Sequence, residues 1–260
     1  MKYSIIFAAI AGIASAAPGA PLVQRDASQL TSRSARRSKY NSSPIQRVET
    51  LDSLNDAQVS YSSNWAGAVS IGKGYNKVVG TITVPEVSGS DGAAASAWVG
   101  IDGDTCQTAI LQTGISFYAD GTFDAWYEWI PDYAYSFSGF SVSVGDKIKM
   151  EVDASSKTTG VATLQNLTTG KKVTHSFSGT PSTLCETNAE WIVEAFQENG
   201  SQVDLADFGT VSFTGASASG TSGAVTLSSA EIIDISPDGG STVLTSCSAG
   251  SSTVTCKYIG

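Results

Sequence analysis

Two short strings bring carboxylates and aromatic side chains close together: Asp124-Ala125-Trp126-Tyr127-Glu128-Trp129-Ile130 and Ala189-Glu190-Trp191-Ile192-Val193-Glu194-Ala195-Phe196. In an extended chain alternate side chains share a face. Glu190 and Glu194 therefore point the same way as Ile192 and Phe196, and Glu128 shares the face of Trp126. A carboxylate among apolar side chains is costly to ionise, which raises its pKa and suits it to general acid and base work. Periodicity by itself leaves two readings open, a working carboxylate or an acid on a solvated sheet face.

Other chemistries are excluded by what the chain lacks. A serine triad needs an imidazole base, and the single histidine, His175, sits in a Lys-Lys-Val-Thr-His-Ser-Phe strand with no GxSxG elbow anywhere. One histidine also rules out an HExxH zinc site, and no P-loop or dinucleotide glycine pattern occurs. There is no Asp-Thr-Gly or Asp-Ser-Gly pair to form an aspartic dyad; the nearest string is Gln112-Thr113-Gly114. No metal and no cofactor is expected. Carboxylates, amides and aromatics remain.

The elements that would position them are strands. Lys147-Ile148-Lys149-Met150-Glu151-Val152-Asp153 alternates polar and apolar without a break, the period of a half-buried strand. Similar segments are 77–84, 96–101, 122–130, 161–167, 171–178, 189–196, 230–235 and 253–258, punctuated by Gly, Ser, Asn and Asp. Helical periodicity is almost absent. Many short strands with such turns predict an all-β sandwich over residues 51–260. Four cysteines, Cys106, Cys185, Cys247 and Cys256, suit an oxidising compartment. Of the three possible pairings, Cys106 with Cys185 and Cys247 with Cys256 is preferred, because the second pair flanks a Ser/Gly-rich turn.

Charge divides the chain of 260 residues in two. Residues 1–50 carry seven bases and two acids, a net of +5, whereas the rest carries eight bases and 22 acids, a net of -14, with no arginine after Arg47. A body so poor in clustered bases is an unsuitable partner for nucleic acid. Lys2, the apolar run Ile5 to Ala14 and the small residues Ala14-Ser15-Ala16 read as a signal peptide over 1–16, too short to span a membrane. Residues 17–50, rich in Ser, Ala and Arg, read as a basic propeptide whose junction falls between Arg47 and Ser62. A secreted, extracellular, monomeric protein with no membrane association after signal cleavage is expected. Such a prosegment would associate with the acidic body at neutral pH and loosen as Asp and Glu protonate near pH 4.

Longer strings carry a resemblance. Ala97-Trp98-Val99-Gly100-Ile101-Asp102-Gly103-Asp104-Thr105-Cys106 runs on to Ile110-Leu111-Gln112-Thr113-Gly114. This stretch, with Cys185-Glu186-Thr187-Asn188-Ala189-Glu190-Trp191-Ile192-Val193-Glu194, Ser63-Asn64-Trp65 and the Trp126 string, closely resembles the eqolisins, secreted fungal glutamic peptidases. The likeness runs from about Ser62 to the C-terminus. It implies a sandwich of two antiparallel sheets of the concanavalin A-like lectin/glucanase type, secretion as a zymogen, and a catalytic pair falling on Gln112 and Glu194 rather than Glu190. Trp98, Asp102, Glu128 and Trp65 match residues that line or support that site. The partners implied are protein or peptide substrates and the chain's own propeptide as inhibitor. The segment Gln197 to Phe208 departs from the pattern, lacking cysteines that some relatives carry there.

Two other readings compete: a glycoside hydrolase, since such sandwiches carry paired carboxylates beside aromatics, and a carbohydrate-binding module stacking sugars on Trp126, Trp129, Tyr133 and Tyr135. Three N-x-Ser/Thr sequons occur, at Asn41, Asn166 and Asn199. Asn41 would leave with the propeptide; Asn166, near a turn, and Asn199 are candidate glycan sites.

Overall fold

The computed structural model describes residues 40–49, 59–221, 223–225 and 227–260. The expected signal peptide and the expected propeptide as far as Lys39 lie outside the described residues. Among the described residues, nineteen strands fall mainly into two sheets. The first runs in the order β1 (Arg47–Val48), β2 (Val59–Ser62), β17 (Glu231–Ile235), β3 (Trp65–Ile71), β12 (Asn188–Glu194), β5 (Ala94–Ile101), β6 (Ile110–Tyr118), β7 (Phe123–Ile130) and β8 (Tyr135–Ser136). The second runs β11 (Lys172–Ser178), β10 (Thr159–Asn166), β9 (Lys147–Ser156), β4 (Tyr75–Thr83), β15 (Thr210–Gly220), β19 (Thr253–Tyr258) and β18 (Thr245–Ala249), with β16 (Gly223–Val225) beside β15. A short hairpin pairs β13 (Gln197–Glu198) with β14 (Ser201–Gln202). Neighbours in both large sheets are antiparallel, save the parallel pair β2 and β17.

Alternation explains which face each strand buries. On β9 the residues Ile148, Met150, Val152 and Ala154 are buried, while Lys147 and Ser155 are exposed and Lys149, Glu151 and Asp153 lie between. The first set meets Trp191, Val99, Leu111 and Phe117 from the facing sheet in one core between the layers. Trp191 spans the two layers, its Nε1 donating to the Val79 carbonyl at 2.8 Å. That bond satisfies the indole donor where water is excluded.

The central strands of the first sheet do not alternate in burial: β5 is buried along its whole length and β3 along all but its last residue. Both their faces are covered, because a second apolar cluster lies on the side away from the core. It contains Tyr40, Ile45, Trp65, Trp98, Trp126, Ile192 and Phe196. Cys106 bonds Cys185, and Cys247 bonds Cys256 across the β18–β19 hairpin, where the two are register partners. On the loop-entropy account the first link, closing 79 residues, contributes about 4 kcal/mol.

Candidate active site

Strand register lays the chemically capable side chains in rows across the outer face of the first sheet. Glu190 on β12 pairs with Gly100 on β5, Gly100 with Gln112 on β6, and Gln112 with Glu128 on β7. The next row on that face is Ile192, Trp98, Gly114 and Trp126, and the one beyond it contains Trp65, Glu194, Ser96 and Ser116. Glu190, Glu194, Gln112 and Glu128 are at most 1% exposed.

Two glycines make room for these bulky side chains. A β-carbon at Gly114 would lie 2.4 Å from the Ala97 carbonyl oxygen and 2.5 Å from the Trp98 β-carbon. One at Gly100 would lie 2.8 Å from Cζ3 of Trp98. Trp98 is thereby free to lie close to the sheet and donate its Nε1 to Glu194 Oε2 at 2.9 Å. Trp65 packs edge-on against Trp98 at 4.9 Å between ring centroids.

Asp102 acts at a distance from Glu194. Its left-handed φ of 70° turns the chain at the end of β5. Its carboxylate accepts the backbone N–H groups of Cys185, Glu186, Thr187 and Asn188 at 2.7, 2.9, 2.8 and 3.3 Å. Those residues lead into β12, so Asp102 and the adjacent Cys106–Cys185 link fix the entry of the strand that carries Glu190 and Glu194. It ties this incoming loop.

The N-terminal segment lies on Glu194. Tyr40 and Ser42 donate their hydroxyls to Glu194 Oε2 at 2.6 and 2.8 Å, and the Ser43 N–H approaches Oε1 at 3.4 Å. The Tyr40 ring stacks on Trp126 at 3.9 Å and leans on Phe196 at 4.8 Å. Backbone pairing holds the segment extended: Asn41 and Gln197 exchange N–H···O bonds of 3.1 and 3.0 Å, and Ile45 N–H donates to Gly103 at 3.1 Å. Trp65 Nε1 donates to the Ser43 carbonyl at 3.1 Å and Asn64 Nδ2 to that of Pro44 at 3.2 Å. Beyond them Arg47 reaches both Asp104 and Glu231 at 2.7 Å.

Electrostatics follow from this enclosure. Burial lifts Glu194 to about 7, against the opposing pull of its Tyr40, Ser42, Ser43 and Trp98 donors. Burial, then the nearby Glu194 charge, raises Glu128 well above the usual range, with the Ser42 backbone and Gln112 opposing. Glu190 is likewise raised, by burial first and then by Asp102 and Asp104. Gln112 Nε2 donates to Glu128 Oε2 at 2.8 Å.

Of the residues singled out from sequence, Glu194, Gln112, Trp98, Glu128 and Trp65 share this cleft, and Asp102 supports it from the side. Tyr40, Ser42, Ser43 and Asn64 were missed as cleft residues. The available signal was the neutral island Tyr40-Asn41-Ser42-Ser43-Pro44-Ile45 between Lys39 and Arg47. The proposed sugar-stacking platform does not form. Trp126 lies in the cleft under Tyr40, Trp129 faces the inter-sheet core, and Tyr135 stacks on Tyr127. His175 stacks on Tyr127 at 3.9 Å, a sheet residue as expected. Asn166 is fully buried: Nδ2 donates to Asp146 at 2.8 Å and Oδ1 accepts the Thr168 and Thr169 N–H groups. It anchors a turn and is not accessible to a glycan in the folded domain. Asn199 is exposed in the β13–β14 turn.

The model of the peptidase A4 family matches residues 63–258. The chain belongs to that family. Aspergillopepsin-2 of Aspergillus niger is 48% identical over the full length of both chains. Scytalidopepsin B of Scytalidium lignicola is 45% identical, over 96% of this chain and 95% of its own. A crystal structure of scytalido-glutamic peptidase with a transition state analog inhibitor superposes with a TM-score of 0.73 at 49% identity, covering 76% of this chain and 98% of the other. This A4 chain is therefore a glutamic peptidase, a hydrolase of the eqolisin kind.

Proposed function

We propose that the protein is a secreted acid endopeptidase, made as a zymogen, in which Glu194 and Gln112 activate water against a peptide carbonyl. The observation that carries the reading is the convergence on Glu194. A fully buried carboxyl in the cleft of an A4 fold holds Trp98 on one side and an extended segment of polypeptide on the other. Attack by water needs a base for the water proton, a donor for the growing oxyanion and an acid for the leaving amine. Glu194 as carboxylate accepts the water proton as the C–O bond forms, then returns it to the amine nitrogen as the C–N bond breaks. One N–H of Gln112 is committed to Glu128; the other is available to the oxyanion and does not titrate.

The segment Tyr40–Ile45 supports latency. Ser42 Oγ sits where a proton-donating nucleophile of Glu194 would, and enclosure keeps Glu194 at about 7, so in acid it is protonated and unable to act as base. Departure of the segment admits water and lets the carboxyl ionise in the acid range. The contacts in the cleft are neutral, and among the described residues of the segment only Arg47 pairs with the acidic body. Protonation of Asp104 and Glu231 in acid would weaken that attachment.

The test is digestion of a denatured protein at pH 3 to 4 by wild type and by Glu194→Gln and Gln112→Ala. Cleavage insensitive to pepstatin by wild type alone is expected. A Glu194→Gln protein that cuts as fast as wild type would defeat the reading. A peptide of residues 33–47 should inhibit at pH 5, and less when its bases are replaced by Ala.

A further inference from the structure

Glu190 has no task in that mechanism, yet it occupies the same face and is sealed from water. Both its carboxyl oxygens are buried without a hydrogen-bond partner, and so is Oε1 of Gln112. The two residues approach the same point over Gly100. The point where a β-carbon of Gly100 would stand is 3.2 Å from Glu190 Oε1 and 3.3 Å from the Gln112 β-carbon. The missing side chain is what lets the Glu190 carboxyl reach toward Gln112 beside the rim of Trp98.

The charges around Glu190 favour its protonated state. Asp102 and Asp104, at the end of β5, both disfavour its ionisation. Its neighbour on β3 is Val69, beyond which lies Glu231. The guanidinium of Arg47 is spent on Asp104 and Glu231. On the far side stand Gln112 and the acid Glu128. A carboxyl so placed is protonated in acid and gives up its proton only at higher pH, and a protonated carboxyl has a hydrogen to donate.

We propose that Glu190 is a positioning residue for the reaction assigned above, donating from across Gly100 to the Gln112 carbonyl oxygen and so fixing the amide end for end. The inference rests on the Glu194/Gln112 reading. A side-chain amide can turn over, exchanging its oxygen and nitrogen. With Glu128 Oε2 accepting on one flank and a donor, Glu190, on the other, the observed orientation satisfies both ends. In that orientation the second N–H of Gln112 is held ready for the oxyanion. Without Glu190 the amide is free to turn, and fewer molecules are poised for catalysis at any instant.

The experiment measures kcat and KM on a fluorogenic peptide from pH 2.5 to 7, for full-length protein incubated at pH 3.5, with active sites titrated by a tight-binding peptide inhibitor. Glu190→Met keeps the volume but has no donor, and kcat is expected to fall at least tenfold with KM changed less than twofold. Glu190→Gln keeps a donor that cannot ionise. It should retain kcat within threefold of wild type and hold its activity to higher pH on the alkaline limb. Wild-type kcat in Glu190→Met overturns the proposal, as does a Glu190→Gln enzyme as slow as Glu190→Met. If Glu190→Met does not fold, the alkaline limb of Glu190→Gln decides: a limb unmoved from wild type also overturns it. Gln112→Ala runs alongside. An active Gln112→Ala enzyme would sink the dyad reading itself, whereas an inactive one beside an unaffected Glu190→Met would sink only the role of Glu190.

Discussion

The two faces of β12 are made by one seven-residue string and behave oppositely. Ala189, Trp191 and Val193 meet the second sheet, where the core is apolar and the Trp191 indole donor is satisfied. Glu190, Ile192 and Glu194 turn to the cleft, where carboxyls are buried at raised pKa and several polar atoms lack partners. One face stabilises the sheet, and the other is carried at a cost that the first offsets. The carboxyls proposed for catalysis are held still by a strand whose rigidity comes from the opposite side.

Mutations on the two faces should therefore separate activity from stability. The largest effect expected is from Glu194→Gln, a loss of kcat of about 10³-fold or more if the carboxylate is the sole base, with unfolding in urea at pH 4 little changed. Trp191→Ala should cost about 3–5 kcal/mol in the same unfolding assay, leaving kcat per folded molecule near wild type.

The pH dependence sharpens the contrast, because the acids raised most strongly are the three of the cleft and Asp234. Folded pKa values of Glu128, Glu190 and Glu194 lie above the unfolded value. Their stabilisation is therefore fully present below about pH 4 and lost as pH rises, through about 7 for Glu194 and about 6 for Asp234. Thermal melting should show a domain most stable in acid, and Glu194→Gln or Glu190→Gln should raise the melting temperature at pH 7 by several degrees relative to wild type. A melting temperature flat from pH 4 to 7 would contradict this. Away from both faces, Asn166→Ala should cost about 1–2 kcal/mol in urea unfolding by orphaning the turn N–H groups. Lys77→Ala, which breaks half-exposed pairs with Glu151 and Asp153, should cost under about 1 kcal/mol.

Legibility from sequence followed the same division. Strands with one solvated face, such as β9 and β19, announced themselves by alternation. β3 and β6 did not, because Trp65-Ala66-Gly67-Ala68-Val69-Ser70 and Ile110-Leu111-Gln112-Thr113-Gly114 are covered on both sides and mix small and large residues. β15 escaped for another reason: its Ser, Thr, Gly and Ala residues give little contrast in hydropathy. Alternation put Glu190 and Glu194 on one face, but could not tell them apart. That difference lies in cross-strand neighbours, Gly100 for one and Ser96 for the other. The N-terminal segment was read by its charge, whereas its described part touches the cleft through a phenol, two serines and an isoleucine. Such contacts depend on register between segments more than 150 residues apart, which no local pattern encodes.

Tyr40–Ile45 and the groups it covers belong to one covalent chain. While residues 47 to 59 link them, the segment faces the cleft at an effective concentration on the order of millimolar, whatever the dilution of the protein. A single cut in that link leaves the bonds of Tyr40 and Ser42 to Glu194 as they are, yet turns an intramolecular equilibrium into a bimolecular one. From then on occupancy falls with dilution, so under the secreted-zymogen reading proposed above an enzyme spreading into a large volume would be switched on by diffusion, with little chance of being switched off again.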